Sequence, residues 1–291
     1  IGIIVFIIIA IIGIILGVVF GVIIPAADAK AAKVRNYWDT MDTNITNVVI
    51  PDYVREIPDN AFKNFTNLQS VMIPETVTSI RQRAFYGCSA LTSLKIPSSV
   101  SRIGNFTFYE CSSLESFEIP SSVTSIGNGA FVGCSALTSL KIPSSVTSIG
   151  VSAFSRCTSL GSLEIPSSVT SIGGSAFSEC SSLASINIPS SVSHIRDYAF
   201  YECSSLASVT IPSSVTSIAH SAFENCTLLT SLTIEDIDKI TYIGNKAFAN
   251  CNLNKVTIKE KEYTKCNAII TAHPKISPIV FEGNNSLEVC E

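Results

Sequence analysis

Apolar and polar positions along most of this chain follow a pattern that resets every 23 residues. In Leu91-Thr92-Ser93-Leu94-Lys95-Ile96, Leu94 and Ile96 alternate with Ser93 and Lys95, the pattern of a strand with one buried face. Pro97 ends that strand, because it has no N–H to give to a ladder. Val100 and Ile103 form a second apolar pair, read as a short extended segment on another side of a coil. Gly104 is read as the turn, Phe108 as interior filling, and Cys111 as the close of the unit before Leu114 opens the next. The same order starts at Ile50, Ile73, Ile96, Ile119, Ile142, Ile165, Ile188 and Ile211; a ninth unit starts at Ile234 without its proline and runs one residue longer, to Ile258. Self-similarity at this period predicts a solenoid, since each unit buries its apolar face only against its neighbours.

Stacking such units aligns like with like. Phe62, Phe85, Phe108, Phe131, Phe154, Phe177, Phe200, Phe223 and Phe248 form one column, so an interior aromatic stack is expected. Of 10 cysteines, Cys88, Cys111, Cys134, Cys157, Cys180, Cys203, Cys226 and Cys251 form another. Parallel side chains at equivalent positions point the same way and not at one another, so these read as buried reduced thiols and not as a disulfide framework. Cys266 and Cys290 stand outside the column and are left open as a pair that an oxidising compartment would join.

Residues 1–24 break the pattern, being apolar throughout. As a helix rising about 1.5 Å per residue they would cross a hydrocarbon core of about 30 Å with some tilt. The expectation is a single transmembrane helix, and the start at Ile1 implies an upstream piece. Gly13, Gly17 and Gly21 fall on one face of it, where a partner helix or a second copy would pack closely. Pro25 closes the run, and residues 26–35 read as a short polar helix or stalk. The basic flank at Lys30, Lys33 and Arg35 favours a cytoplasmic solenoid, but the opposite flank is missing for comparison. Five acceptor patterns for N-glycosylation, at Asn44, Asn64, Asn105, Asn225 and Asn284, favour the extracellular or luminal side instead, and that placement is the expectation.

Composition narrows function mostly by exclusion. A net charge of -4 with 14% charged residues offers no nucleic-acid footprint. The 3 histidines, His194, His220 and His273, lack partners at metal-ligand spacing, and there is no nucleophile or phosphate-binding motif. No enzyme, cofactor or metal is expected. On the strand face one column is serine throughout (Ser70 to Ser231), beside a column reading Met72, Lys95, Glu118, Lys141, Glu164, Asn187, Thr210 and Thr233. Opposite charges on adjacent strands read as a solvated ladder. Variation gathers elsewhere, on the side just before the Phe column. Arg81, Arg83, Tyr86, Arg102, Phe106 and Tyr109 make one group, and His194, Arg196, Tyr198 and Tyr201 a second, where other units carry mainly Gly and Ser. Tyr and Arg concentrate at interaction hot spots, so these are the candidate protein contacts.

The repeat I-P-S-S-V-T-S-I-G-x-x-A-F-x-x-C-S-x-L-x-S-L resembles the BspA-like, or Treponema pallidum type, leucine-rich repeat, over residues 50–258. That resemblance implies an α+β repeat fold, a right-handed leucine-rich-repeat solenoid with a parallel β-sheet, and a surface or secreted protein that binds other proteins without catalysis. The apolar run also looks a little like a type IV pilin amino terminus, although Val5 stands where those proteins carry glutamate. The expected organisation is a transmembrane helix over 1–24, a stalk and cap over 25–49, nine repeats over 50–257 and a cap over 258–291. The expected role is a membrane-anchored interaction or adhesion module; the alternative is a structural or accessory subunit of a larger membrane complex or filament, held by its N-terminal helix.

Overall fold

The computed structural model describes residues 26–258 with the short strands Val18–Val19, Val22–Ile23 and Lys261–Tyr263, and divides into two units, Ile1–Asp42 and Thr43–Glu291. In the first unit the polar segment is helical over Ala26–Asp39, reaching beyond Arg35. Its alanines favour helix, and Thr40 closes the last turn with its N–H and its hydroxyl both on the Asn36 carbonyl, at 3.2 and 2.7 Å. Most of the apolar run 1–24, with Gly13, Gly17 and Gly21, lies outside the described residues. Val18–Val19 and Val22–Ile23 pair antiparallel, which corrects the helix expected at those four residues; β-branched side chains favour extended backbone over helix. Among the described residues, no helix is long and apolar enough to cross a membrane.

The second unit is the solenoid, and three backbone ladders run along it. The first comprises Asn47–Val49, Ser70–Met72, Ser93–Lys95, Ser116–Glu118, Ser139–Lys141, Ser162–Glu164, Ser185–Asn187, Ser208–Ile211, Ser231–Ile234 and Lys255–Ile258. Neighbours pair parallel and in repeat register, as Leu140 does with Phe117 on one side and Leu163 on the other, except that Asn47–Val49 and Ser70–Met72 form a pair of their own, separate from the series that starts at Ser93–Lys95. Lys261–Tyr263 then pairs antiparallel with Lys255–Ile258 and ends the parallel series. In the ninth unit a 3₁₀ turn, Ile237–Lys239, capped by the Asp236 carboxylate, takes up two extra residues, so that Tyr242 pairs with Ser217, and one is given back before Lys255 pairs with Ser231.

The second ladder consists of two-residue strands at the Val-x-x-Ile segment. It forms a group of six, from Glu56–Ile57 to Ser171–Ile172, and a group of three, from His194–Ile195 to Tyr242–Ile243. The third was not foreseen: the turn around each phenylalanine donates its N–H groups to the following unit, as Phe108 does to the Ala130 carbonyl (2.8 Å) and Glu110 to Val132 (2.7 Å). With both sides of a coil bonded, little buried backbone is left without a partner.

The nine phenylalanines are fully buried and stack in sequence, with centroids 5.0 to 5.5 Å apart and planes within 19°. Each cysteine of the column is buried and reduced, and its thiol donates to the phenylalanine carbonyl of the unit before: Cys111 to Phe85 at 3.1 Å, Cys157 to Phe131 at 3.1 Å. Burial pushes the thiols of Cys88, Cys111, Cys134, Cys157, Cys180, Cys203 and Cys226 up from an ordinary 9.0, to about 12 for Cys88 and Cys180.

The glycine that follows the second strand has a different cause from the one expected. Gly104, Gly127, Gly150 and Gly173 do not adopt positive φ; they let consecutive coils approach. A Cβ on Gly150 would meet Asn128 N at 2.6 Å, and one on Gly173 would meet Val151 N at 2.4 Å.

Candidate interaction surface

Arg83, Tyr86, Phe106 and Tyr109 of the first sequence group and Tyr198 and Tyr201 of the second lie in the turns around the phenylalanine column, where the backbone explains their prominence. Arg102 and His194 sit instead in the second ladder, with Arg81 and Arg196 at its end. Each turn places two residues in the left-handed region. One position holds Asn60, Arg83, Phe106, Gly129, Ser152, Ser175, Tyr198, Ser221 and Lys246; the other holds Asn64, Gly87, Glu110, Gly133, Arg156, Glu179, Glu202, Asn225 and Asn250. Asn and Gly fit there readily, whereas a bulky side chain costs about 1–2 kcal/mol. Phe106 and Tyr198, at φ 55° and 57°, and Arg83, at φ 55°, therefore occupy positions where the fold favours something smaller.

In the first group the rings are organised. Tyr86 and Tyr109 stack at 4.6 Å with planes 5° apart, and Phe106 meets Tyr109 edge-on at 6.1 Å. Arg83 lies over Phe106 at 5.4 Å, and Lys63, which the sequence reading missed, lies over Tyr86 at 5.7 Å. At the far end Arg156, also missed, reaches back across Gly133 to Glu110 at 2.5 Å and to the Tyr109 hydroxyl at 3.3 Å. Burial opposes the Arg156 charge, but the Glu110 carboxylate, together with Tyr109 and Glu179, outweighs it and raises its pKa. Arg81 pairs with Glu56 at 2.8 Å, and Arg102 stands exposed in the second ladder.

The second group is smaller. Tyr198, 39% exposed, meets Tyr201 at 5.7 Å and His220 at 5.4 Å, both edge-on. Tyr201 is raised above its usual pKa by its hydrogen bond to Glu202. His194 is held by the Ser193 hydroxyl at 2.6 Å, and Arg196 is exposed. His220 belongs to this cluster, a placement that its sequence position one repeat later concealed.

Both groups coincide with a loosening of the second ladder. Elsewhere a threonine bonds through its N–H and its hydroxyl to the unit before, as Thr147 does to the Thr124 carbonyl at 3.0 and 3.3 Å. Ser101 and Ser193 replace that threonine beside Arg102 and His194, and neither makes those two bonds among the described residues. At the second site the ladder divides between Ser171–Ile172 and His194–Ile195, where Arg196 stands in the glycine column.

The strand face differs from this surface. Its serines and its Lys95, Glu118, Lys141 and Glu164 line a long open groove. The charges are register neighbours, yet none closes to ion-pair distance within the ladder among the described residues. No cluster of metal-ligating side chains occurs among the described residues.

The glycosylation patterns separate by structure. Asn225 donates to the Tyr201 hydroxyl at 3.3 Å and accepts from Asn250 at 2.8 Å, and Asn105 accepts from Asn128 N at 2.9 Å. Asn64 is exposed at positive φ, Asn44 is exposed, and Asn284 lies outside the described residues, as do Cys266 and Cys290.

Parallel ladders in repeat register around stacked interior columns define a leucine-rich-repeat solenoid. The chain belongs to the BspA-type leucine-rich repeat family, whose region of six copies matches residues 40–161 and 147–271. Among solved structures it is similar to a leucine-rich repeat protein from Bacteroides ovatus, with 34% identity and a TM-score of 0.64, over 75% of this chain and 64% of that one. It also matches a leucine-rich cell surface protein from Faecalibacterium prausnitzii (29% identity, TM-score 0.48, 74% and 69% covered). A third match is the leucine-rich repeat protein of T. pallidum (24%, 0.49, 84% and 87%). No curated protein matches.

Proposed function

We propose that this protein is a non-enzymatic surface module that binds other proteins through the turn side of its solenoid, with the residue 63–109 group as the main contact. The Tyr86/Tyr109 stack carries this reading. It is a rigid aromatic platform flanked by Lys63, Arg83 and Arg156, set on a fold whose other turns at these positions run largely to glycine and serine. Pre-ordered Tyr and Arg lose little freedom on binding, which is why such residues dominate hot spots. Anchoring through residues 1–24, with the solenoid outside the cell or in a lumen, belongs to the same proposal; it is supported by the apolar run and the acceptor sequences.

A photo-crosslinking side chain at position 109 or at the equivalent Ser155, in the full chain on intact cells, tests the reading. A discrete protein adduct from position 109 and none from 155 is expected. Equal labelling from both, or none from either, would overturn it.

A further inference from the structure

We infer that the strand face is self-complementary and pairs two copies of this chain in opposite directions. Along the face the exposed charges run Lys95, Glu118, Lys141, Glu164, one per strand, and the strands are in exact repeat register. A two-fold axis parallel to the strands, passing between Ser116–Glu118 and Ser139–Lys141, brings a second copy face to face with its strand order reversed. Reversal turns the order Lys, Glu, Lys, Glu into Glu, Lys, Glu, Lys. Lys95 then faces the other copy's Glu164 and Glu118 faces its Lys141, and symmetry doubles both pairs. Met72 falls opposite Asn187, so no like charges meet. The same operation sets serine column against serine column across the groove, where water bridges facing hydroxyls.

Two observations make this more than a property of the pattern. The four charges have no ion-pair partner within the ladder, although they are register neighbours. Ser93, Ser116, Ser139, Ser162 and Ser185 likewise make no side-chain hydrogen bond among the described residues, in contrast to Ser70, which bonds Asn47. Charge and hydroxyl groups alike thus remain available to an outside partner of matching order. A polar strip without an aromatic anchor gives a weak pair, favoured by high concentration and low salt.

Sedimentation equilibrium of the full chain in neutral detergent tests the pairing; any association through residues 1–24 would be common to all variants. Wild type should show a dimer whose dissociation constant rises at least about tenfold between about 50 and 500 mM salt. Glu118→Lys should weaken it by about tenfold or more, since it sets two like-charged pairs in contact. Inverting all four charges together (Lys95→Glu, Glu118→Lys, Lys141→Glu, Glu164→Lys) should restore the dimer, yet the inverted chain should not pair with wild type. A Glu118→Gln, Lys141→Gln chain, which introduces no repulsion and removes two of the four cross-pairs, should lose about half of the salt dependence. A wild type showing no salt-sensitive dimer, a Glu118→Lys chain that dimerises unchanged, or a folded inverted chain that fails to recover would each overturn the inference.

Discussion

The unit beginning at Ile142 and the unit beginning at Ile73 share one interior and differ in their turns. Phe154 and Phe85 are both fully buried in the same stack, and Cys157 and Cys88 both donate to the phenylalanine carbonyl of the preceding unit. Around that interior the Ile142 unit carries Gly150, Ser152 and Ser155, whereas the Ile73 unit carries Arg81, Arg83 and Tyr86. The fold constrains the interior positions strongly and the turn positions weakly. Departures from the generic repeat therefore carry information where the backbone would have preferred a smaller residue, as at Arg83 and Phe106.

Breaking the shared interior should have the largest effect. Phe154 lies between Phe131 and Phe177, at 5.3 and 5.5 Å, with no exposed surface. Phe154→Ala should cost about 3–5 kcal/mol in urea unfolding. Tyr86→Ala, at a half-buried turn position, should cost far less, and near-equal losses would erase the distinction between core and turn. The glycine column comes next. Gly173→Ala places a Cβ 2.4 Å from Val151 N and should cost about 1–3 kcal/mol through forced separation of two coils. Gly161→Ala meets nothing within 4 Å and should be neutral or slightly stabilising.

The interior was legible in the sequence because its requirements are specific: only phenylalanine recurs at 62, 85 and 108, and only cysteine from 88 to 251. The first two ladders followed from alternation and from the Val-x-x-Ile pairs. The third was hidden, since it is made by N–H and carbonyl groups that any residue supplies. The left-handed positions left a trace in Asn60, Asn64, Gly87, Gly129 and Gly133, but Ser, Glu and Arg at equivalent positions obscured it. The two candidate groups were visible as departures in residue type. Their membership was not, because Lys63, Arg156 and His220 join through contacts between units, outside the window where the departures cluster.

Alkaline pH offers a second probe of the shared interior. The seven buried thiols from Cys88 to Cys226 stay protonated above 9.0, to about 12 for Cys88 and Cys180, whereas in the unfolded chain they ionise near the ordinary value. The folded pKa is the higher one. The resulting stability is fully present below about pH 9 and is lost as pH rises from there toward the folded values. Urea midpoints should therefore fall progressively above pH 9, and thiol reagents at neutral pH should leave the eight column cysteines unmodified until the chain unfolds. Rapid native labelling of Cys111 or Cys157 would mean that the solenoid opens far more readily than its packing implies.

The smallest expected effect separates rigidity from stability on the turn side. Arg156 spans the units between Glu110 and itself, and Gly133 leaves the room, since a Cβ there would lie 2.7 Å from the Glu110 carboxylate. Both ion-pair partners are about 40% exposed, so solvent screening leaves the pair worth only about 0.2–1 kcal/mol. Arg156→Ala should thus shift the urea midpoint barely at all. It should nevertheless free the Tyr109 hydroxyl and loosen the end of the Tyr86/Tyr109 stack, which ring-flip and order-parameter measurements by NMR would register. If Tyr109 stays equally ordered without Arg156, the platform is held by the stack alone, and the strap matters only as a weak surface pair.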